Sequence, residues 1–251
     1  GNYNDATARL YGDISYLTAD DDLGRDASAF FHCVTGFSEP GRLMKLSMAP
    51  LTLRETLVDL IDDEIERSRQ GQRARILAKM NSLVDPILID KLCEASQAGV
   101  DIELNVRGIC CLRPGRKGVS ERIRVVSIVD RFLEHARIFY FHHGGDEKVF
   151  ISSADWMPRN LDRRVELLAP VDEKPHRRRL TRILKTCLKD NVKGWELKPD
   201  GTTVRREPRS GGKRIRSQEV FYREAVEAME EAQKRKRTTF EPHVPPADER
   251  A

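Results

Sequence analysis

The residues of this chain with the most chemistry in them lie around His135. Arg137 follows two positions later, so in an extended segment the imidazole and the guanidinium project to one face. Imidazole accepts phosphoryl groups and exchanges protons near neutral pH. Guanidinium offers phosphate oxygens a planar fork of donors. From this pair an apolar stretch, Arg137 to Phe141, runs to a Gly144-Gly145 turn, and a second stretch, Lys148 to Ile151, returns. It empties into Ser152-Ser153-Ala154-Asp155-Trp156-Met157-Pro158-Arg159-Asn160. A hairpin that gathers an imidazole, hydroxyls, an acid and an amide is a phosphoryl-transfer site in outline. Each part also has a blander explanation. A histidine ahead of an apolar strand is often a surface residue, and the Ser152–Asp155 run doubles as a turn or helix cap. His142 and His143, beside the glycines, read as exposed turn residues, and Trp156 reads as core.

Other candidates sit where strands end. Arg107 closes the stretch Glu103 to Val106 and precedes Gly108. Ligands of open α/β sheets gather at the carboxyl ends of parallel strands, and a glycine there lets a phosphate approach the backbone. Lys79 and Asn81 end the preceding strand in the same way, so two neighbouring strand ends would deliver cations to one place. A surface salt bridge explains Arg107 equally well. Nothing resembles a P-loop, a Rossmann glycine fingerprint or a protein-kinase signature.

The elements that must hold these residues alternate between helical and strand periods. A short helix is expected over Asp26–Thr35, a linker over Gly36–Arg42 and a strand over Leu43–Met48. Leu53, Thr56, Leu57, Leu60, Ile61, Glu64 and Ile65 mark a helix, with Thr52 and Glu55 spaced as a capping box and Gly71 at its end. A strand follows at Arg75–Met80, then a helix capped by Asp85 through about Gln97, then a strand over Val100–Val106. That order implies crossovers and a sheet with parallel strands. Further strands are expected near Arg124–Ile128, Arg137–Phe141, Lys148–Ser152 and Arg164–Leu168, with helices over His176–Leu188 and Gln218–Arg235. The segment after Thr238 has the composition of a disordered tail.

The 251 residues are 39% hydrophobic and 33% charged, which allows a packed core under a highly charged surface. No apolar run nears the roughly 18–20 residues a bilayer span requires, and the start has no signal-peptide pattern, so a soluble intracellular protein is expected. The five cysteines show no CxxC spacing and read as reduced, mostly buried thiols, with Cys110-Cys111 as strand packing. The net charge of +4 conceals basic clusters, among them Arg159-Arg163-Arg164, Arg177-Arg178-Arg179 and Lys234-Arg235-Lys236-Arg237, that would attract a polyanion.

Gly1-Asn2-Tyr3-Asn4, Thr7 to Tyr11, Asn81 to Asp85, Val106-Arg107-Gly108, Ser127 to His135 and Ser152 to Asn160 form a set of segments in a characteristic order and spacing. Together they resemble the first family of bacterial polyphosphate kinases. The resemblance implies an α/β fold: a phospholipase-D-like domain with a mixed β-sheet flanked by helices, plus the end of a preceding similar domain. The divisions would be 1–45 for the remnant of the first domain, 46–237 for the second and 238–251 for a disordered tail.

It also implies reversible transfer of the terminal phosphate of ATP to polyphosphate through a phosphohistidine, with magnesium. In that scheme the phosphorylated histidine lies upstream of Gly1, as do the arginines that hold magnesium or the adjoining phosphates. A chain that begins at Gly1 would then be a carboxyl-terminal fragment, inactive alone. His135 matches the second motif's supporting acid/base or phosphate-binding histidine, and Arg137 stands where phospholipase D motifs have lysine. Tyr11, Arg107 and His135 match nucleotide-contacting residues. Lys79, Asn81, Arg137, Ser153, Asp155, Arg159 and Asn160 are candidate phosphate or polyphosphate contacts.

The implied partners are ATP or ADP and inorganic polyphosphate, with homo-oligomers of the full-length protein, no specific nucleic acid, and a cytoplasmic location that leaves peripheral membrane association open. Two rival functions remain: a phospholipase-D-type phosphodiesterase or nuclease, and a basic nucleic-acid-binding module.

Overall fold

The computed structural model describes residues 4–36, 41–208 and 210–235. In chain order its helices are α1 (Asp5–Ala8), α2 (Asp21–Val34), α3 (Leu53–Arg69), α4 (Pro86–Gln97), α5 (Pro158–Arg163), α6 (Lys174–Leu188) and α7 (Ser217–Arg235). Its strands are β1 (Tyr11–Gly12), β2 (Ser47–Ala49), β3 (Arg75–Met80), β4 (Asp101–Val106), β5 (Ile123–Ile128), β6 (Leu133–Glu134), β7 (Arg137–Phe141), β8 (Lys148–Ser152), β9 (Glu166–Pro170), β10 (Gly194–Leu197) and β11 (Thr203–Arg205).

Nine strands form one mixed sheet in the order β11-β10-β5-β4-β3-β7-β8-β9-β2. Its centre, β5-β4-β3, is parallel, and β7 joins antiparallel to β3 with Ala78 opposite Phe139. The start of β7 and the end of β8 therefore lie at the edge where β3 and β4 finish. Side chains alternate between two buried faces, as a sheet covered on both sides requires. Ile76, Ala78, Met80, Ile102, Leu104 and Phe139 pack with Leu57, Ile61, Leu88 and Leu92 of α3 and α4. Leu77, Val126, Ile138 and Tyr140 pack with Leu180, Leu184 and Leu188 of α6. Helices thus flank a mixed sheet, as expected.

A second, two-stranded ladder sets the site. β1 pairs in parallel with β6, with Tyr11 opposite Leu133 and Gly12 opposite Glu134. The segment after β1 continues across the α6 face, where Ile14 and Tyr16 join the core and the Tyr16 hydroxyl donates to Glu173 at 2.7 Å.

Several local expectations need correction. The first long helix starts at Asp21, because Asp20 caps it by accepting from the Leu23 amide at 2.9 Å. The strand expected over Leu43–Met48 is confined to Ser47–Ala49. The Met44, Lys45 and Leu46 amides, which a strand would pair with a neighbour, donate instead to the buried Asp26 carboxylate. Thr52 makes no side-chain cap, since its hydroxyl accepts from the Met48 amide. The strand placed at Arg164–Leu168 runs over Glu166–Pro170, and β10 and β11 were not anticipated.

The thiols are less buried than expected. Cys187 is buried, Cys33, Cys93 and Cys110 are half-buried, and Cys111 is exposed. Cys110 forms an isolated bridge with Leu83 and lies outside the named strands. His142 and His143 are half-buried. The His143 amide donates to Glu64, and its ring meets Arg67 and Asp63. Burial pushes the Glu64 carboxyl above its ordinary pKa against the Arg75 and His143 amides that bond it. The linker expected at 36–42 lies partly outside the described residues, and the 238–251 tail wholly so.

Candidate functional site

Strand ends build the site. β3 delivers Asn81, β4 delivers Arg107, β8 leads to Asp155, and β6 runs through His135 into Arg137 at the start of β7. Across from them, the β1–β6 ladder brings Tyr11 to His135, with ring centroids 4.9 Å apart and planes inclined by 42°.

The His135 ring is oriented from both sides. Its Nδ1 lies 2.9 Å from Asp13 Oδ2, and its Nε2 lies 3.4 Å from Arg137 Nη1. An ionised carboxylate can only accept and a guanidinium can only donate. The proton therefore belongs on Nδ1, and the Nε2 lone pair faces the side where Arg137 would meet an anion. Asp13 was not singled out from the sequence; no spacing ties it to a histidine 122 positions away.

Burial pushes the Asp13 carboxyl upward, but bonds from His135 and the Ile14 amide outweigh it and leave the pKa lowered. A carboxylate depressed in the folded state contributes stability above its unfolded pKa of about 3.9 and loses it as pH falls through the lower folded value. Asp13→Asn should accordingly be less stable than the parent at pH 7, and the gap should close on acidification through that window. Urea unfolding at both pH values checks this.

A second group of bonds ties the strand ends together. Arg137 grips Asp155 with two parallel bonds, Nε to Oδ1 at 3.1 Å and Nη2 to Oδ2 at 3.0 Å. Asp155 Oδ1 also accepts from the Asn81 amide at 2.7 Å and the Ser82 amide at 3.3 Å. The Asn81 side chain then bridges outward, donating to the His135 carbonyl at 3.4 Å and accepting from Arg107 Nε at 3.2 Å. The terminal nitrogens of Arg107 make no bond among the described residues, so they remain free to meet an anion.

Gly108 serves this join. Its amide donates to the Asn81 carbonyl at 2.7 Å, and a Cβ there would stand 2.9 Å from that oxygen. Gly108→Ala should therefore lower stability by about 1–3 kcal/mol through a forced backbone shift, measurable by urea unfolding.

The other candidates lie apart. Lys79 points to the α6 face and is buried, paired with Glu134 at 3.2 Å and bonded to the Ala136 carbonyl at 3.0 Å. It braces the residues on either side of His135 from within. Ser153 exchanges bonds with the Leu167 backbone, and Asn160 donates to Glu166 in the interior. Arg159 is exposed and makes no polar bond among the described residues.

The start of α7 holds the same loop from outside, and nothing in the sequence signalled it. Arg216 binds Asp130 through two nitrogens, at 2.8 and 2.7 Å, and keeps its carboxyl below the ordinary range. Gln218 accepts from the Phe132 amide and donates to the Phe132 carbonyl and to Glu134.

Magnesium, implied by the resemblance, prefers carboxylate and phosphate oxygens. Among the described residues no group of three or more His, Cys, Asp or Glu could hold a metal. Asp13 is committed to the His135 ring and Asp155 to the Arg137 guanidinium. These side chains do not fit a magnesium cage.

Fold and site define an α/β protein with an oriented histidine and two arginines at the carboxyl edge of its parallel strands. Residues 46–218 match the polyphosphate kinase C-terminal domain 2 family, and residues 1–40 match polyphosphate kinase C-terminal domain 1. The chain belongs to the polyphosphate kinase family. It is 59% identical over 245 residues to a polyphosphate kinase of Rhodopirellula baltica, covering 98% of this chain and 29% of that protein. With one from Halalkalibacterium halodurans it shares 54% over 224 residues, 88% of this chain and 32% of the relative. The crystal structure of polyphosphate kinase from Porphyromonas gingivalis superposes with a TM-score of 0.87 at 42% identity, over 92% of this chain and 35% of that one. The chain thus spans about a third of the length of these relatives.

Proposed function

We propose that this chain is part of the catalytic region of a polyphosphate kinase that reversibly moves the terminal phosphate of ATP onto polyphosphate. The observation that carries this most directly is the Tyr11–His135–Asp13 arrangement, which leaves one ring nitrogen facing Arg137. Tyr11, Arg107 and His135 contact the nucleotide. Arg107 neutralises phosphate oxygens with its free terminal nitrogens, and His135 gives or takes a proton at Nε2 as the bridging oxygen changes owner. Chemistry of this kind is mostly positioning and charge neutralisation.

The phosphohistidine lies outside the chain, so His135 supports transfer and does not carry the phosphoryl group. Residues up to about 45 close one phospholipase-D-like domain and 46–237 form the next, a division supported by family matches that end at 40 and resume at 46. Magnesium would be held outside these side chains, beside the nucleotide's phosphates. A cytoplasmic homo-oligomer suits these substrates. No helix among the described residues is long and apolar enough to cross a membrane.

Two assays test the proposal. A full-length protein carrying this segment should form ATP from ADP and long-chain polyphosphate. The isolated 251-residue chain, incubated with γ-labelled ATP, should acquire no acid-labile, base-stable phosphate. Failure to form ATP, or labelling of the isolated chain, would overturn it.

A further inference from the structure

Helix α6 has a charge pattern that its own stability does not explain. From Lys174 to Leu188 it contains Lys174, Arg177, Arg178, Arg179, Arg182 and Lys185, with no acidic residue among them. Lys174 and Arg177 stand at the positive end of the helix dipole, where cations are disfavoured. Arg178, Arg182, Lys185 and Lys189 follow at spacings of four, three and four, which puts like charges side by side. All four are exposed and line one groove of about 480 Å³. Among the described residues Arg182 alone has an acidic partner, Glu224 of α7. Thr181, a residue only 6% exposed, also lines the groove, and its buried hydroxyl makes no hydrogen bond among the described residues. Among the described residues Glu147 is the one acid lining the groove, and it already accepts from the Tyr140 hydroxyl.

We propose that this stripe is a second binding site, a track for a linear inorganic phosphate polymer, separate from the strand-end site. It rests on the proposed function for the polymer's identity and on α6 for the site. The stripe runs about 16 Å along the helix, so a polymer meets all four cations while a short phosphate meets one or two. Two other polyanionic partners fit less well. Single-stranded nucleic acid needs aromatic platforms, and no Phe, Tyr or Trp lies in α6. A membrane surface needs an exposed apolar face, but Leu180, Leu184 and Leu188 are buried against the sheet.

The test is equilibrium binding of long-chain polyphosphate to the chain and to the variant Arg178→Gln/Arg182→Gln/Lys185→Gln/Lys189→Gln. Exposed ion pairs are individually weak, so losing four together should weaken polymer binding by about tenfold, with tripolyphosphate binding changed by less than about twofold. Unchanged polymer affinity overturns the proposal. So does an equal loss for tripolyphosphate, or tighter binding of single-stranded DNA or phosphatidylserine vesicles than of polyphosphate.

A footprint on the unaltered chain guards against a variant that fails to fold. Long-chain polyphosphate should protect Lys185 and Lys189 from acetylation and leave Lys148 and Lys198 reactive; equal reactivity of all four with and without polymer overturns the track. If the proposed function fails instead, ADP yields no ATP in the full-length protein while both binding readouts stand.

Discussion

Replacing His135 with alanine in a full-length polyphosphate kinase carrying this segment should lower polymer synthesis about 10²–10⁴-fold, the usual worth of a positioned proton-transfer group. The loss should fall mainly on kcat. On the proposed reading Tyr11 and Arg107 still hold the nucleotide, whereas the proton at Nε2 matters only while the phosphate bond is changing. The fold should survive, because the ring is 29% exposed and its removal leaves the Asp13 carboxylate near solvent. His135→Asn separates the two roles. Its amide can still donate toward Asp13, so its thermal midpoint should stay near the parent's while activity falls as far as in the alanine variant. Initial rates beside melting curves decide the matter. Activity within about fivefold of the parent for His135→Ala would remove the residue from the mechanism.

What the sequence made legible and what it hid follow one physical division. The boundaries of β3, β7, β8 and α4 could be read because each carries its own local signals. Asp85 caps α4 through the Leu88 amide, Pro86 opens it, and Gly99 follows with a positive φ of 99°. Elements whose existence depends on a distant partner could not be read so. β1 is two residues long and is a strand only because Leu133 and Glu134 lie alongside. β10 and β11 are short strands at the sheet margin, β10 ordered by pairing onto β5 and β11 by pairing onto β10.

The site divides in the same way. Asn81, Arg107, His135, Arg137 and Asp155 announce themselves at strand ends, and the structure bonds them to one another. Asp13 and Gln218 reach the His135 loop from 122 and 86 positions away, and only the folded chain brings them there. Lys79 shows the limit of reading a strand end alone. It shares parity with Leu77, whose side chain faces α6, so its ammonium is directed inward to Glu134 and not outward to a ligand.

Asp155→Ala should be the most destabilising change in the site, by about 3–5 kcal/mol, since breaking one side of a buried pair strands the other charge. Asp155 is 6% exposed and the Arg137 side chain 12% exposed, so little water is at hand to replace the carboxylate. The Asn81 and Ser82 amides would lose their acceptor at the same time. Asp155→Asn keeps the shape and one acceptor but turns an NH₂ toward the guanidinium, so a smaller loss of about 1–3 kcal/mol is expected.

The diagnostic variant is Arg137→Ala/Asp155→Ala. With no guanidinium left to strand, it should lose less than the sum of the single variants, by about 1–3 kcal/mol. Urea unfolding of the four proteins measures that coupling. A value near zero would mean that Asp155 acts only through the β3-end amides. A large value would mean that the carboxylate's main task is to hold Arg137 beside His135 Nε2, so that Asp155→Ala should also lose synthesis in the full-length protein where it still folds.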